Sequence, residues 1–135
     1  MTVILTYYRT IRLSDTDAAG VVYFASLLSI CHEAYESSLE TAEIDLKTFF
    51  RDPQMVIPIV HAEITFFQPL WSGDRLKIDL TAVQLNQTEF EISYKILLSS
   101  SDDKSIAQAK TRHVCINPTS RQRVPLSESM VKWLS

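Results

Sequence analysis

The segment Asp15-Thr16-Asp17-Ala18-Ala19-Gly20 sets two carboxylates just ahead of a long amphipathic run and ends on one of only two glycines in the chain. Three chemistries compete for it. An EF-hand calcium loop opens as D-x-D-x-x-G, but its fifth and twelfth positions would fall on Ala19 and Ser26, where oxygen ligands and a bidentate carboxylate are needed. That reading is rejected. A helix cap is the second: Asp15 or Asp17 would accept hydrogen bonds from the free N–H groups of the helix and complement its dipole. The third is catalytic. The start of a buried helix offers unpaired N–H groups and partial positive charge to a developing oxyanion. A carboxylate a few residues upstream could attack a carbonyl or activate water beside it. Gly20 removes a side chain that would block close backbone approach. The combination suits acyl transfer, and a thioester is the carbonyl compound most readily cleaved this way. Local sequence alone leaves cap and catalyst both open, and does not choose thioester over ester.

The elements that must position this segment follow from periodicity. Val3, Leu5, Tyr7, Ile11 and Leu13 share one phase, so residues 3–13 read as a strand, with a turn over Ser14–Gly20. From about Val22 to Glu43, Leu27, Leu28, Cys31, Ala34, Tyr35, Leu39 and Ala42 recur at helical spacing, with His32 and four glutamates largely on other faces. A loop is expected over Asp45–Gln54. The period then changes to two. Val56–Val60 and Ala62–Phe67 are apolar strand-like runs, and the segments around Leu76–Ala82 and Phe90–Ile96 alternate apolar with polar residues. The link Asn86-Gln87-Thr88 suits a hairpin. Ile106–Ile116 reads as a last strand and Pro125–Leu134 as a short helix. A single α+β domain over residues 1–135 is predicted, an antiparallel sheet wrapped around one long central helix. One helix covers one face of such a sheet, so the other face and the edges invite partner subunits, and a homodimer or homotetramer is expected.

At 135 residues, with 46% apolar and 21% charged residues, the chain suits one soluble domain. No apolar run approaches the roughly 20 residues that span a bilayer. The N-terminal MTVILTYYRTIRL lacks a basic lead-in and a cleavage site, and reads better as a strand than as a signal peptide. Cys31 and Cys115 form no CxxC pair or zinc spacing, so a reduced, cytoplasmic protein is expected. The net charge of -3 argues against nucleic acid as the main partner. Residues 15–63 hold nine acidic and two basic side chains, whereas Lys104, Lys110, Arg112, Arg121, Arg123 and Lys132 face only Glu128 in the C-terminal third. That basic third is either a solvated face or a contact for a phosphorylated small ligand.

The whole chain carries a resemblance. DTDAAGVVYF followed by ICHEAYESSLE, with PIVHAEITFFQPLWSGDRL and KTRHVCI, is similar to the 4-hydroxybenzoyl-CoA thioesterase branch of the hotdog superfamily. Within it the chain most resembles the cyanobacterial 1,4-dihydroxy-2-naphthoyl-CoA thioesterases of phylloquinone biosynthesis. The resemblance implies a hotdog fold, an acyl-CoA substrate whose coenzyme A is no separate cofactor, and an acyl pocket shared between subunits. It further implies that Asp17 is the catalytic carboxylate, as nucleophile or general base, and that the backbone N–H near Phe24 holds the oxyanion.

Tyr23 adjoins that oxyanion position and would line the aryl pocket or pack between helix and sheet. His32 takes the place of an acidic group that meets the substrate hydroxyl in the 4-hydroxybenzoyl-CoA enzymes, and an imidazole can hydrogen-bond a naphthol. His61 is a pocket candidate or a histidine satisfied by backbone. His113 reads as structural. No two histidines have metal spacing, so no metal is expected, and both cysteines read as core. Relatives place basic residues for the CoA phosphates at a hairpin that here reads VQLNQT, without charge, so the phosphate contacts are left unassigned. A broader short-chain or benzoyl thioesterase and a non-catalytic acyl-CoA-binding module are the competing functions.

Overall fold

The computed structural model describes residues 3–100 and 104–135. Its elements are β1 (Val3–Thr10), α1 (Phe24–Thr41), α2 (Leu46–Phe49), β2 (Ile59–Phe66), β3 (Arg75–Asn86), β4 (Glu89–Leu98), β5 (Ser105–Val114) and α3 (Glu128–Leu134). The strands form one antiparallel sheet in the order β1-β3-β4-β5-β2.

Alternation decides which face of the sheet is covered. Leu76, Ile78 and Leu80 of β3, and Phe90, Ile92, Tyr94 and Ile96 of β4, are buried, while their neighbours are less so. On β5 the buried set is Ala107, Ala109, Thr111 and His113. Against this face α1 packs Leu27, Ile30, Cys31, Ala34, Tyr35, Ser38 and Leu39, the i, i+3, i+4 stripe legible in the sequence.

The helix ends in a Schellman motif: Ile44 N–H bonds Leu39 C=O at 3.0 Å and Glu43 N–H bonds Glu40 C=O at 2.9 Å. Glu43 takes the left-handed position at φ 63, where glycine is the usual residue. Ser127 caps α3, which swings Trp133 against Phe90 and Tyr35 at ring-centroid distances of 5.3 and 5.8 Å. Trp133 Nε1–H donates to Ser38 Oγ at 3.2 Å, tying α3 to α1.

Four local expectations are corrected. The first strand stops at Thr10, and Leu13, expected on its apolar phase, opens a 3-10 turn and is 79% exposed. The expected loop over 45–54 contains α2, whose first turn Asp45 caps through Thr48 N–H. Residues 56–58 are not a strand: Val56 makes an isolated bridge to Ile116, and Pro58, which has no N–H, precedes the start of β2. The long helix begins at Phe24 rather than Val22, because Val22 N–H bonds Leu70 C=O instead of joining the helix. No helix among the described residues is long and apolar enough to cross a membrane.

Candidate active site

Asp17 sits in a turn closed by its own backbone. Its N–H bonds Val21 C=O at 2.9 Å, its C=O accepts from Gly20 N–H at 3.0 Å, and its Oδ1 accepts from Ala19 N–H at 2.8 Å. Gly20 makes the turn possible at φ 84, with the Trp71 ring 3.7 Å from where a Cβ would stand. The ends of the loop are pinned: Thr16 bridges Val22, Val21 bridges Trp71, and Val22 N–H reaches Leu70 C=O at 2.9 Å. The Asp17 carboxylate is exposed at the crest of this anchored turn.

The helix that follows has a bare N-terminus. Its N-cap is Tyr23, in extended conformation, and among the described residues no side chain caps it and no acid lies in its first turn. The first intrahelical bond is Leu27 N–H to Tyr23 C=O at 3.1 Å. The N–H groups of Phe24, Ala25 and Ser26 therefore have no intrahelical acceptor, and Phe24 and Ala25 are exposed. Partial positive charge and free donors thus begin seven residues beyond Asp17 in the chain (24 − 17).

The helix-cap reading of Asp15 and Asp17 is thereby overturned. Asp15 is 9% exposed and belongs to an ion network. Arg9 Nη1 and Nη2 both donate to its carboxylate, the second at 3.3 Å, and Arg12 N–H adds a bond at 2.8 Å. Burial raises the Asp15 pKa, but the Arg9 and Arg12 donors outweigh it and hold the carboxyl below its ordinary value. The two aspartates thus differ: Asp15 is held in an ion network, whereas Asp17 is exposed and its carboxylate accepts only a local bond from Ala19 N–H among the described residues.

Tyr23 and Phe24, at the start of the helix, are 47% and 46% exposed. His32 lies on α1 facing the core side. Its Nε2 is buried with no hydrogen-bond partner among the described residues, and burial lowers its pKa against a weaker opposing pull from Glu36. His61 is exposed on the outer face of the edge strand β2, paired in register with Arg112, its Nε2 4.0 Å from Glu63. No hydrogen bond or ion pair among the described residues joins it to Asp17.

His113 is fully buried, accepts or donates at Nε2 to Thr111 Oγ1 at 2.8 Å, and stacks on Phe90 at 4.5 Å. Burial and the neighbouring His32 push its pKa down to about 3, so it is a neutral core histidine. Cys31 is buried and its thiol is pushed up to about 12, which removes it as a nucleophile. Of the six basic residues in the C-terminal third, Lys110 and Arg112 face Glu91 at 4.0 Å and Arg123 pairs with Glu89 at 3.2 Å. A cleft of about 980 Å³ opens at the other end of α1 between Ile44, Phe49, Met55 and Trp133. The Asp17 loop is instead open surface.

Two contributors escaped the sequence reading. Trp71 flanks Gly20, and only the strand pairing brings it there. Arg9 holds Asp15, and its only sequence signal was a charge inside a strand followed by two nearby carboxylates.

Known proteins are similar to this chain in sequence and fold. Residues 11–134 match the family model of the thioesterase-like superfamily. A 1,4-dihydroxy-2-naphthoyl-CoA hydrolase of Rippkaea orientalis is 70% identical over 128 residues, 95% of this chain and 93% of that protein. One from Gloeothece citriformis is 63% identical over 129 residues, covering 96% and 90%. A crystal structure of a 1,4-dihydroxy-2-naphthoyl-CoA thioesterase from Synechocystis superposes with a TM-score of 0.90 at 40% identity, over 96% of this chain and 93% of that one. A single long helix on a five-stranded antiparallel sheet, an exposed aspartate ahead of its uncapped start and matches of this extent agree with one another, and the chain belongs to the thioesterase-like superfamily, with its hotdog fold.

Proposed function

We infer that the protein hydrolyses 1,4-dihydroxy-2-naphthoyl-CoA, with Asp17 as the carboxylate that attacks the thioester carbonyl or deprotonates the attacking water. The observation that carries this reading is the exposed Asp17 carboxylate ahead of an uncapped helix start. Charge developing on the carbonyl oxygen is met by the Phe24 N–H and the helix dipole, donors that need no reorganisation as the bond breaks. The acyl identity is supported by the names of relatives that are 62% to 70% identical over nearly the whole chain.

The aryl group lies against Tyr23, with His32 as the partner for a ring hydroxyl. The open surface around Asp17 supports a pocket completed by a second subunit, and the edge strand β2, with Ile59 37% and Val60 56% exposed, supports pairing between copies. In that assembly His61 would meet the pocket of the neighbouring subunit. No cofactor is invoked, and a cytoplasmic setting is supported by two buried free thiols.

The test is steady-state hydrolysis, read as release of free thiol, with Asp17→Asn. A fall in kcat/KM of at least about tenfold, roughly 1.4 kcal/mol, is expected. A smaller loss rules out the assigned role, and equal rates on a matched aliphatic CoA ester rule out the acyl assignment. Binding of the naphthoyl ester without turnover would identify an acyl-CoA-binding module.

A further inference from the structure

Arg9 occupies an unusual position for a charged strand residue, with its side chain 20% exposed. All five of its guanidinium donors have partners. Nη1 donates to Asp15 Oδ2 and to Thr10 C=O, the latter at 3.3 Å. Nη2 reaches Asp15 Oδ1 at 3.3 Å and Glu33 Oε2 at 3.0 Å, and Nε reaches Glu33 Oε1 at 3.1 Å. Each carboxylate is held by two donors, and Tyr7 Oη–H completes Glu33 with a third bond at 3.0 Å. The planar fork is thus shared between two acids from different elements.

Those two acids bracket the catalytic segment. Asp15 lies two residues before Asp17, at the foot of its turn. Glu33 lies on α1, nine residues beyond Phe24, whose N–H is the oxyanion donor. The chain from Asp15 to Phe24 contains no regular helix or sheet, only the pinned turn. One side chain of β1 therefore ties both ends of the reacting geometry, the carboxylate and the helix that carries the amide, to the same strand.

We propose that Arg9, through Asp15 and Glu33, is a positioning residue that sets the separation between the Asp17 carboxylate and the N-terminus of α1. Catalysis by a carboxylate and an oxyanion donor depends on where the carbonyl sits between them, and misplacement of about 1 Å can cost on the order of 10²-fold in rate. The effect belongs in kcat, since Arg9, Asp15 and Glu33 are occupied with one another and none is assigned to the acyl group or the nucleotide. The proposal rests on the thioesterase reading of Asp17. Turnover by the wild type together with its loss in Asp17→Asn establishes that reading whatever Arg9 does.

The experiment compares Arg9→Met, Arg9→Lys and Glu33→Ala with wild type on 1,4-dihydroxy-2-naphthoyl-CoA. Each is assayed at a temperature where circular dichroism shows it fully folded. Arg9→Met should lower kcat at least tenfold while KM stays within about threefold. Arg9→Lys, a point charge that cannot hold two carboxylates by twin bonds, should regain melting temperature but not kcat. Glu33→Ala keeps the Arg9–Asp15 pair and a good helix former, so it folds even if Arg9→Met does not, and its kcat should fall several-fold. Unchanged kcat in folded Arg9→Met or Glu33→Ala overturns the proposal. So does recovery of kcat in parallel with melting temperature in Arg9→Lys, or a loss that appears only in KM.

Discussion

Acid should destabilise this protein through its buried imidazoles, His113 above all, with His32 adding in the same direction. His113 is fully buried and neutral, its pKa pushed down to about 3, first by burial and second by His32. The unfolded chain binds a proton near pH 6.5, the native state does not, and so stability falls as pH drops below about 6.5. Above that value the contribution is fully present. At pH 5 the difference in proton binding for this residue is worth about 2 kcal/mol, roughly 7 °C in melting temperature for a domain of this size. The groups around the ring are Phe90 stacked on it, Tyr35 at 4.9 Å, Thr111 bonded to Nε2 and the imidazole of His32 nearby. The Asp15 carboxyl, held low by Arg9 and Arg12 against the opposing effect of burial, loses its contribution only as pH falls below the ordinary carboxylate value, so it is still present at pH 5. Urea unfolding at fixed protein concentration, at pH 7.5 and pH 5, for wild type and His113→Gln, isolates the effect. The glutamine variant should lose about 2 kcal/mol less between the two pH values. Equal pH dependence in the two proteins, within about 0.5 kcal/mol, would refute the assignment of a neutral buried imidazole.

Other substitutions probe the frame around the site. Gly20→Ala places a methyl in ordinary contact with Trp71 but forces a side chain into φ 84, so about 1 kcal/mol of stability should be lost, together with activity as the Asp17 turn shifts. Glu43→Gly relieves the left-handed strain at the end of α1 and should raise stability by up to about 1 kcal/mol in chemical denaturation. Trp133→Phe removes the bond to Ser38 and part of the packing on Phe90, at a cost of about 1–2 kcal/mol read by calorimetry. Cys31 should react with a thiol reagent only after denaturation, because its thiol is buried and pushed up to about 12.

Much of the fold was legible because its signals are local. The stripe from Leu27 to Leu39 repeats at helical spacing, and Leu76, Ile78 and Leu80 alternate in a way that only a half-covered sheet explains. The boundaries were less legible. Leu13 keeps the strand's phase but leaves it, since Ile11 N–H and C=O bond Asp74 and Gly73 and end the ladder with β3.

The amino-acid sequence by itself determined the elements, the class and the segment that carries Asp17, because periodicity and the D-x-D-x-x-G order are written within a few residues. It could not say which aspartate faces solvent, since that depends on a partner 24 residues from Glu33 along the chain: Arg9 engages Asp15 as well and leaves Asp17 exposed. It could not say which way His61 and His113 point, since a strand residue's face is settled by register, and register comes from pairing with distant strands. Nor could it show that the helix start lacks a cap, which follows from Val22 bonding Leu70 and Asp15 bonding Arg9. Residue types set what chemistry was available; only packing across the chain decided which groups were left exposed to perform it.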